Sequence, residues 1–163
     1  MNIKIRPYQI KDTGKAILIW NQVVEEGRAF PQMEPLTEES GQQFFLEQSF
    51  TGIACEEETE GIIGLYILHP NNVGRCGHIC NASYAVEKTV RGQHIGEKLV
   101  IHCMEKAKEL NFRILQFNAV VSSNTAALRL YQKLGFVRLG VIPQGFFMKD
   151  GTYEDIIPHY YIL

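Results

Sequence analysis

The sequence predicts a single mixed α/β domain, and three observations lead to this fold class. The chain has 163 residues, about the length of one domain, with 45% apolar and 21% charged residues, a composition typical of soluble globular proteins. Its apolar residues change repeatedly between the two-residue spacing of strands and the 3.6-residue spacing of helices. No repeat, linker or low-complexity stretch divides the chain. We therefore expect one domain over residues 1–163, with elements in the order β-α-α-β-β-β-α-β-α-β-β.

The first third of the sequence predicts a strand followed by two helices. Asn2–Arg6 alternates apolar and polar residues, as a short strand does. From Asp12 onwards the apolar residues recur at helical spacing, and Gly27 ends this run. Thr37 is the predicted N-cap of a second helix, which runs to about Gln48.

The middle of the sequence predicts a hairpin, a further strand and a helix. The strand-like runs Gly52–Glu56 and Gly61–Leu68 flank the acidic segment 57–60, which is typical of a solvated hairpin turn. Gly77–Val86 is predicted to be the next strand. Ile95–Leu110 is predicted to be an amphipathic helix, because its apolar residues recur on one face.

The last third of the sequence predicts three strands and one helix. Strands are expected over Phe112–Val121 and Phe136–Ile142, with a helix over Asn124–Leu134 between them. The tail Tyr153–Leu163 is expected to form the last strand, interrupted by Pro158 because proline has no backbone N–H.

The charge and cysteine content exclude several classes of function. With 16 Lys and Arg against 18 Asp and Glu, the net charge is −2, which leaves no basic surplus for a nucleic acid partner. The longest apolar run, Ile62–Leu68, is far below the ~18 residues that cross a bilayer, and no signal-peptide core is present. We therefore expect a cytoplasmic protein without membrane contact. Four scattered cysteines fit neither a disulfide framework nor a zinc site, so no metal is expected.

The first chemically informative segment is Val86–Leu99, in which a predicted strand ends, a loop with Arg91 and Gly92 follows, and a helix begins. Glycines let the backbone approach a ligand closely, and the N–H groups of a helix N-terminus attract an anion. Phosphate or pyrophosphate is the natural occupant of such a site. The spacing of Gly92 and Gly96 fits neither the Walker A motif nor the dinucleotide-binding fingerprint. The alternative is an ordinary strand-to-helix turn.

The second informative segment is Asn124–Phe136. On a helix, Asn124, Ala127 and Tyr131 share one face, over ~10.5 Å at a rise of 1.5 Å per residue. Asn124 is predicted to cap this helix, and Tyr131 to point the same way two turns later. The alternative is a plain N-cap with a core tyrosine.

Together, the two segments resemble the motifs of the GNAT superfamily of N-acetyltransferases. Arg91–Gly96 is similar to the motif Gln/Arg-x-x-Gly-x-Gly/Ala, with His94 in place of its first glycine. The second motif, Asn-x-x-Ala-x-x-Leu-Tyr-x-Lys-x-Gly-Phe, is matched at Asn124, Ala127, Leu130, Tyr131, Lys133, Gly135 and Phe136. The element order fits along the whole chain. The resemblance implies a central mixed, mostly antiparallel sheet flanked by helices, whose splayed strands bind acetyl-CoA.

The resemblance also implies which residues bind acetyl-CoA as co-substrate. The splayed fourth strand, ending at Val86, would pair with the pantetheine arm, and the amides of residues 93–97 would hold the pyrophosphate. Asn124 would lie on the pantetheine side and Tyr131 near the thioester sulfur, while His94 would either crowd the phosphate or contact it when protonated. The implied cofactor site comprises Tyr84, Ala85, Val86, Arg91, Gly92, Gln93, His94, Ile95, Gly96, Glu97, Asn124, Ala127 and Tyr131.

Acetyl transfer to an amine needs a neutral amine, a stabilised oxyanion and a protonated leaving thiolate. Tyr131 is the predicted general acid for the thiolate. Proton transfer from a phenol of pKa ~10 to a thiolate of ~8.5 costs roughly 2 kcal/mol. The general base is not encoded in either motif. His78, Glu34, His159 and Glu154 are candidates by chemistry alone, and a chain of water molecules is an equal alternative.

Asn81 and Asn118 are candidate acceptor-binding residues. Both fall in predicted strands, where asparagine is uncommon, and a buried amide there needs partners from a ligand or from an internal network. The stretches around them resemble the phosphinothricin acetyltransferases and the fungal enzymes that act on proline analogues. This resemblance implies that Asn81 and Asn118 orient a small amino-acid-like acceptor or the oxyanion.

The segment 143–155 is expected to form a loop near the acceptor site. Its aromatic residues Phe146, Phe147 and Tyr153 either wall the pocket or form a subunit contact. Homodimers are common in the superfamily, so a homodimer is expected by analogy alone.

The sequence therefore predicts an N-acetyltransferase that moves the acetyl group of acetyl-CoA to a primary or secondary amine of a small amino-acid-like acceptor. The amine would attack directly in a ternary complex. Two alternatives stay open: an acetyltransferase for protein N-termini or lysines, and a non-catalytic module that senses acetyl-CoA.

Overall fold

The computed structural model describes all of residues 1–163 and contains eight strands and four helices. The strands are β1 (Ile3–Pro7), β2 (Phe50–Glu56), β3 (Ile62–Pro70), β4 (Ile79–Val86), β5 (Ile114–Val121), β6 (Val137–Arg138), β7 (Ile142–Phe147) and β8 (Tyr153–Ile162). The helices are α1 (Thr13–Glu26), α2 (Glu38–Glu47), α3 (Ile95–Glu109) and α4 (Thr125–Lys133). The predicted single α/β domain with a mixed sheet is confirmed.

The eight strands form one sheet, in the order β1-β2-β3-β4-β5-β8-β6, with β7 paired to the same edge of β8. Every pairing is antiparallel except that of β4 with β5. These two parallel strands pair only at Ile79 with Ile114 and at Cys80 with Leu115. Beyond Cys80 the two strands separate, so that a cleft opens in the middle of the sheet.

The helices bury one apolar core on each face of this sheet. On one face, α1 and α2 pack on β2 and β3 around the fully buried Trp20 and Phe45. On the other face, α3 inserts Leu99 and Cys103 against the sheet, and α4 adds Leu128. The predicted helical stripes of α1 and α3 are therefore the surfaces that hold the sheet between two layers.

Two helix boundaries follow the capping residues expected from the sequence. The Thr37 hydroxyl accepts a hydrogen bond from the Ser40 N–H at the start of α2. Gly27 ends α1 in the left-handed conformation, at φ 64°. None of the four helices combines the length and the apolar composition that crossing a membrane requires.

The expected loop over residues 143–155 is wrong. Ile142–Phe147 forms β7, which pairs with β8 as an antiparallel hairpin, and the expected strand 136–142 shrinks to the two residues of β6. Pro143 and Gly145 have the composition of a loop, but both are tolerated in an edge strand. At Gly145 the backbone lies against Ile156, whose Cγ1 would be 2.5 Å from an added Cβ.

The expected interruption of the last strand at Pro158 is also wrong. β8 runs unbroken through it, because the ladder on both sides is irregular at this point. On one side, β5 has a bulge between Phe117 and Val120. On the other side, Pro158 falls between the last pair of β6 and the first pair of β7, and its carbonyl accepts a hydrogen bond from the Leu139 N–H. No ladder hydrogen bond at this position needs the missing N–H.

Candidate active site

A cleft of about 1110 Å³ lies where β4 and β5 separate. Its walls come from β4, β5, the N-terminal ends of α3 and α4, the loop between α1 and α2, and the turn between β7 and β8. The cleft brings together 13 of the 15 site residues predicted from the sequence: Asn81, Tyr84, Val86, Arg91, Gly92, His94, Ile95, Gly96, Glu97, Asn118, Asn124, Ala127 and Tyr131.

The other two predicted site residues, Ala85 and Gln93, do not line the cleft. Ala85 is buried in the core on the α1 face and pairs with Leu65 of β3. Successive strand residues point to opposite faces, so Ala85 faces away from a ligand on the α3 side. The prediction that Ala85 binds the cofactor is therefore wrong for its side chain. Gln93 is exposed, and only its backbone N–H remains available to a ligand.

The edge of β4 that faces the cleft presents free backbone groups. The N–H of Glu87 donates to Ile63 of β3, so by the alternation of a strand the N–H and C=O of Val86 point the other way, into the cleft. The same alternation places the backbone groups of Tyr84 on that side. Because β5 diverges, no strand pairs with these groups. The Val86 carbonyl accepts a hydrogen bond from Arg91 Nε, so the Val86 N–H and the backbone groups of Tyr84 remain for an extended ligand with amide groups.

Asn81 lies at the point where β4 loses its partner. Its side-chain oxygen accepts a hydrogen bond from the N–H of Ala82 at 2.8 Å. Ala82 is the first residue whose N–H would otherwise donate to β5. Asn81 therefore replaces one missing strand bond, and its half-buried side chain lines the cleft.

Asn118 lies on the opposite side of the opening, at the bulge of β5. It exchanges two hydrogen bonds with the side chain of Asn71, at 2.7 and 3.2 Å, and accepts a third from Gln116. It is exposed rather than buried. The premise that Asn81 and Asn118 are buried in a sheet interior is thus wrong, because both lie where the sheet opens.

The segment between β4 and α3 has the form of an anion site. The backbone N–H groups of residues 93–97 donate to no other group of the chain. Gly92 adopts φ 82°, and a Cβ added at Gly96 would meet no atom within 4 Å. The start of α3 is therefore open to a ligand, and it carries the partial positive charge of a 15-residue helix.

His94 occupies the left-handed region, at φ 59° and ψ 18°, directly before α3. This conformation explains why a glycine is usual at this place in the motif, because glycine adopts it without steric cost. The His94 side chain is 79% exposed and points toward Glu97, with Nδ1 3.4 Å from a carboxylate oxygen. It therefore does not fill the space in front of the free amides.

Replacing His94 by glycine is expected to raise the free energy of unfolding by about 0.5–1 kcal/mol, because the left-handed conformation costs a side chain more than glycine loses in chain entropy. The melting temperature should rise by about 1–4 °C. His78→Gly, at an exposed position with ordinary φ, is the matched control and should destabilise the protein. A lower melting temperature for His94→Gly than for the wild type would contradict the assignment of strain.

Arg91 lines the cleft but its guanidinium is already engaged. It donates to both carboxylate oxygens of Glu26 at 2.8 and 2.9 Å, and to the carbonyl of Val86 at 3.0 Å. Arg91 thus ties the end of β4 to the end of α1, rather than offering a free cation to a phosphate. On the other side of the loop, Lys133 of α4 donates to Glu97 of α3 at 2.7 Å.

Asn124 and Tyr131 lie on one face of α4, as predicted. The Asn124 side chain caps the helix by accepting a hydrogen bond from the Ala127 N–H at 3.3 Å. The Tyr131 ring packs on Phe117 in a tilted arrangement, with ring centroids 4.4 Å apart, while the residue lines the cleft. Burial raises the pKa of the Tyr131 hydroxyl above its ordinary value. This group therefore keeps its proton at neutral pH and serves as a donor rather than as a base.

Of the four candidate bases, only Glu154 lines the cleft, where its carboxylate accepts a hydrogen bond from the Ser123 hydroxyl. Glu34 and His78 are exposed outside the cleft. His159 is buried behind Tyr131, with ring centroids 5.7 Å apart. Its Nδ1 donates to the Ile157 carbonyl, and its Nε2 has no partner.

The stability of the protein is expected to fall as the pH drops below about 6.5, because of His159. Burial lowers the pKa of His159, so the unfolded chain takes up a proton that the folded chain excludes. The wild type should lose up to about 1.4 kcal/mol per pH unit more than His159→Gln in urea unfolding between pH 6.5 and 5. Burial also lowers the pKa of His102. Because His102 is present in both proteins, its contribution to the pH dependence cancels in the comparison. If the free energy of unfolding changed equally with pH in the wild type and in His159→Gln, this account would be contradicted.

The sequence did not predict the wall formed by the loop between α1 and α2, at Arg28–Gln32. The apolar pair Phe30-Pro31 in an otherwise polar segment was the available signal. Met148 and Asp150 also line the cleft, and they belong to the segment 143–155 that was expected near the acceptor site. Phe146, Phe147 and Tyr153 do not line the cleft. Of the two roles expected for them, the pocket wall is therefore wrong, and the subunit contact stays a prediction. No group of three His, Cys, Asp or Glu side chains is placed to hold a metal ion.

Comparison with known proteins agrees with this geometry. The model of the acetyltransferase (GNAT) family matches residues 19–136. The chain is 29% identical to N-acetyltransferase aca1 of Schizosaccharomyces pombe over 139 residues, 75% of this chain and 66% of that protein. The chain thus spans just under two thirds of that relative's length.

Two solved structures show the same fold over nearly the whole chain. A GCN5-related N-acetyltransferase from Kribbella flavida is 27% identical, with a TM-score of 0.90 over 99% of this chain and 98% of its own. A GNAT superfamily phosphinothricin acetyltransferase from Sinorhizobium meliloti was solved in complex with acetyl-CoA. It is 20% identical, with a TM-score of 0.91 over 100% of this chain and 89% of its own.

Proposed function

The chain belongs to the acetyltransferase (GNAT) family, and from this premise we propose that it transfers the acetyl group of acetyl-CoA to the amine of a small amino-acid-like acceptor. One observation carries the proposal. The cleft between β4 and β5 joins a free strand edge, the open N-terminus of α3 and the Tyr131 side chain in a single cavity. A donor with an amide-containing arm and a pyrophosphate needs this combination.

The residues present fit acetyl-CoA as the donor. The unpaired backbone groups of Tyr84 and the free N–H of Val86 suit the amides of a pantetheine arm. The free N–H groups of residues 93–97 suit a pyrophosphate, and the space in front of Gly96 lets it approach the backbone. Bound there, acetyl-CoA would supply a thioester as the acetyl donor. Arg91 supports this site indirectly, by fixing the end of β4 to α1.

Tyr131 is the proposed general acid. The neighbouring ring of Phe117 fixes the orientation of the Tyr131 ring, and the raised pKa of Tyr131 keeps its hydroxyl protonated. The same raised pKa makes complete proton transfer to a thiolate costlier than for an ordinary phenol. We infer that the hydroxyl assists chiefly by donating a hydrogen bond to the leaving sulfur.

Glu154 is the proposed acceptor of the amine proton, since it alone of the candidate bases lines the cleft. Asn81 and Asn118 are proposed to orient the acceptor. Asn81 uses its oxygen for Ala82, so its amide NH₂ group is free to donate to a ligand. Asn118 would have to exchange a bond to Asn71 for a bond to the acceptor.

The decisive experiment measures thiol release from acetyl-CoA across amino acids, polyamines and peptides. Release with amino acids or their analogues supports the proposal. Release only with peptides or protein N-termini would replace it by the protein acetyltransferase alternative. Tight acetyl-CoA binding in calorimetry without release for any amine would instead indicate a sensor.

A further inference from the structure

The loop between α1 and α2 carries a cation without a partner. Among the residues that line the cleft, Arg28 and Arg91 are the two with a permanent positive charge. Arg91 is paired with Glu26. Arg28 forms no ion pair and no hydrogen bond, and it is exposed to the cleft. A cation with unused donors at a ligand cleft is available to an anionic group of a ligand.

The backbone around Arg28 is held in place on both sides. Gly27, in the left-handed conformation, lies so close to Lys149 that an added Cβ would be 2.6 Å from its Cγ. Lys149 Nζ in turn donates to the carbonyl of Glu25 at 2.6 Å. On the other side, Phe30 is buried and packs on Trp20 with ring centroids 4.3 Å apart. Arg28 is therefore presented from a fixed loop rather than from a free one.

The same contact brings the turn between β7 and β8 beside this loop, and two carboxylates of that hairpin line the cleft. Asp150 accepts hydrogen bonds from the N–H and the hydroxyl of Thr152, and Glu154 accepts one from Ser123. Neither carboxylate is paired with a cation. The cleft thus offers one free positive charge and two free negative charges to a ligand.

We propose that Arg28 binds a carboxylate of the acceptor, and that Asp150 and Glu154 attract its amine. This inference rests on the proposed acetyl transfer and adds a requirement to it, because the acceptor must be a zwitterionic amino acid. An acceptor with an amine and no carboxylate would leave Arg28 unpaired. Arg28 is then a specificity-determining residue, which selects the acceptor without taking part in proton transfer.

The test compares acceptors that differ only in the carboxylate. Thiol release from acetyl-CoA is measured with paired amino acids and carboxamides, beginning with proline and prolinamide and with methionine and methioninamide. The proteins are the wild type, Arg28→Gln, Arg28→Lys, and the matched control Arg129→Gln, whose arginine is exposed, unpaired and outside the cleft. The amine pKa differs between an acid and its amide, so the acid-to-amide ratio is compared between variants.

Arg28→Gln is expected to lower kcat/KM for the acid by about 10–100-fold, the loss typical of a hydrogen bond between charged groups. For the amide, kcat/KM should change by less than about threefold, and the KM for acetyl-CoA should not change. Arg28→Lys should keep part of the preference for the acid, and Arg129→Gln all of it. Circular dichroism checks that each variant is folded.

An equal loss for the acid and the amide would overturn the inference, as would a raised KM for acetyl-CoA or a wild-type preference for polyamines. If the wild type releases no thiol with any amine, the proposed function fails, and the inference is judged by binding. Calorimetry with the same pairs in the presence of CoA then decides. Tighter binding of the acid that depends on Arg28 supports it, and equal affinities overturn it.

Discussion

Tyr131→Phe is expected to lower kcat by at least about 100-fold and to change the affinity for acetyl-CoA by less than about threefold. The substitution removes only the hydroxyl, the proposed donor to the leaving sulfur, and general acids contribute about 10²–10⁴-fold to such reactions. The ring remains, so its packing on Phe117, with ring centroids 4.4 Å apart, should be kept. Turnover is measured by thiol release with both substrates saturating, and affinity by calorimetry.

Tyr161→Phe is the matched control for this substitution. Tyr161 belongs to the same aromatic cluster, 5.2 Å from Phe136, but does not line the cleft. Its variant should retain the kcat of the wild type. If Tyr131→Phe also keeps its kcat within twofold of the wild type, Tyr131 has no role as an acid, and a solvent molecule must protonate the sulfur.

Gly96→Leu is expected to weaken acetyl-CoA binding by at least about 100-fold without destabilising the fold. A Cβ added at this position would meet no atom of the protein within 4 Å, so we expect the leucine side chain to occupy the space in which the pyrophosphate approaches the free amides of α3. Glycine within a helix costs about 0.5–1 kcal/mol relative to a good helix former. The melting temperature should therefore stay unchanged or rise while the affinity, measured by calorimetry, falls.

Gly14→Leu provides the control for this effect. Gly14 lies in the first turn of α1, where an added Cβ also meets no atom within 4 Å, and it is outside the cleft. Its variant should bind acetyl-CoA like the wild type. Wild-type affinity in Gly96→Leu would place the pyrophosphate somewhere other than the start of α3.

The half of the site that binds the donor could be predicted from the sequence because it is local. Asn124 and Tyr131 share one helix, so their common face follows from helical spacing alone. Gly92 and Gly96 frame a loop and a helix start that are continuous in the chain. Even the unusual His94 was visible as a departure from the motif, although its left-handed conformation appears only in the structure.

The other half of the site depends on contacts between distant parts of the chain. Lys149 donates a hydrogen bond to the carbonyl of Glu25 at the end of α1, and the two residues are 124 positions apart in the chain. This contact places the hairpin of β7 and β8 beside Arg28. No residue pattern along the chain encodes that proximity. For the same reason, the expected loop at 143–155 was wrong, since β7 exists only through its pairing with β8.

The sequence by itself determined the alternation of strands and helices, the motif positions and the family they resemble, because periodicity and capping act within a few residues. Only the tertiary structure decided that β4 and β5 part after two residue pairs, which groups their separation leaves free, and which charges face the cleft. Strand pairing and loop packing are set by the burial of whole faces and by hydrogen bonds between remote segments. Neither the burial of whole faces nor hydrogen bonds between remote segments can be read from the spacing of neighbouring residues.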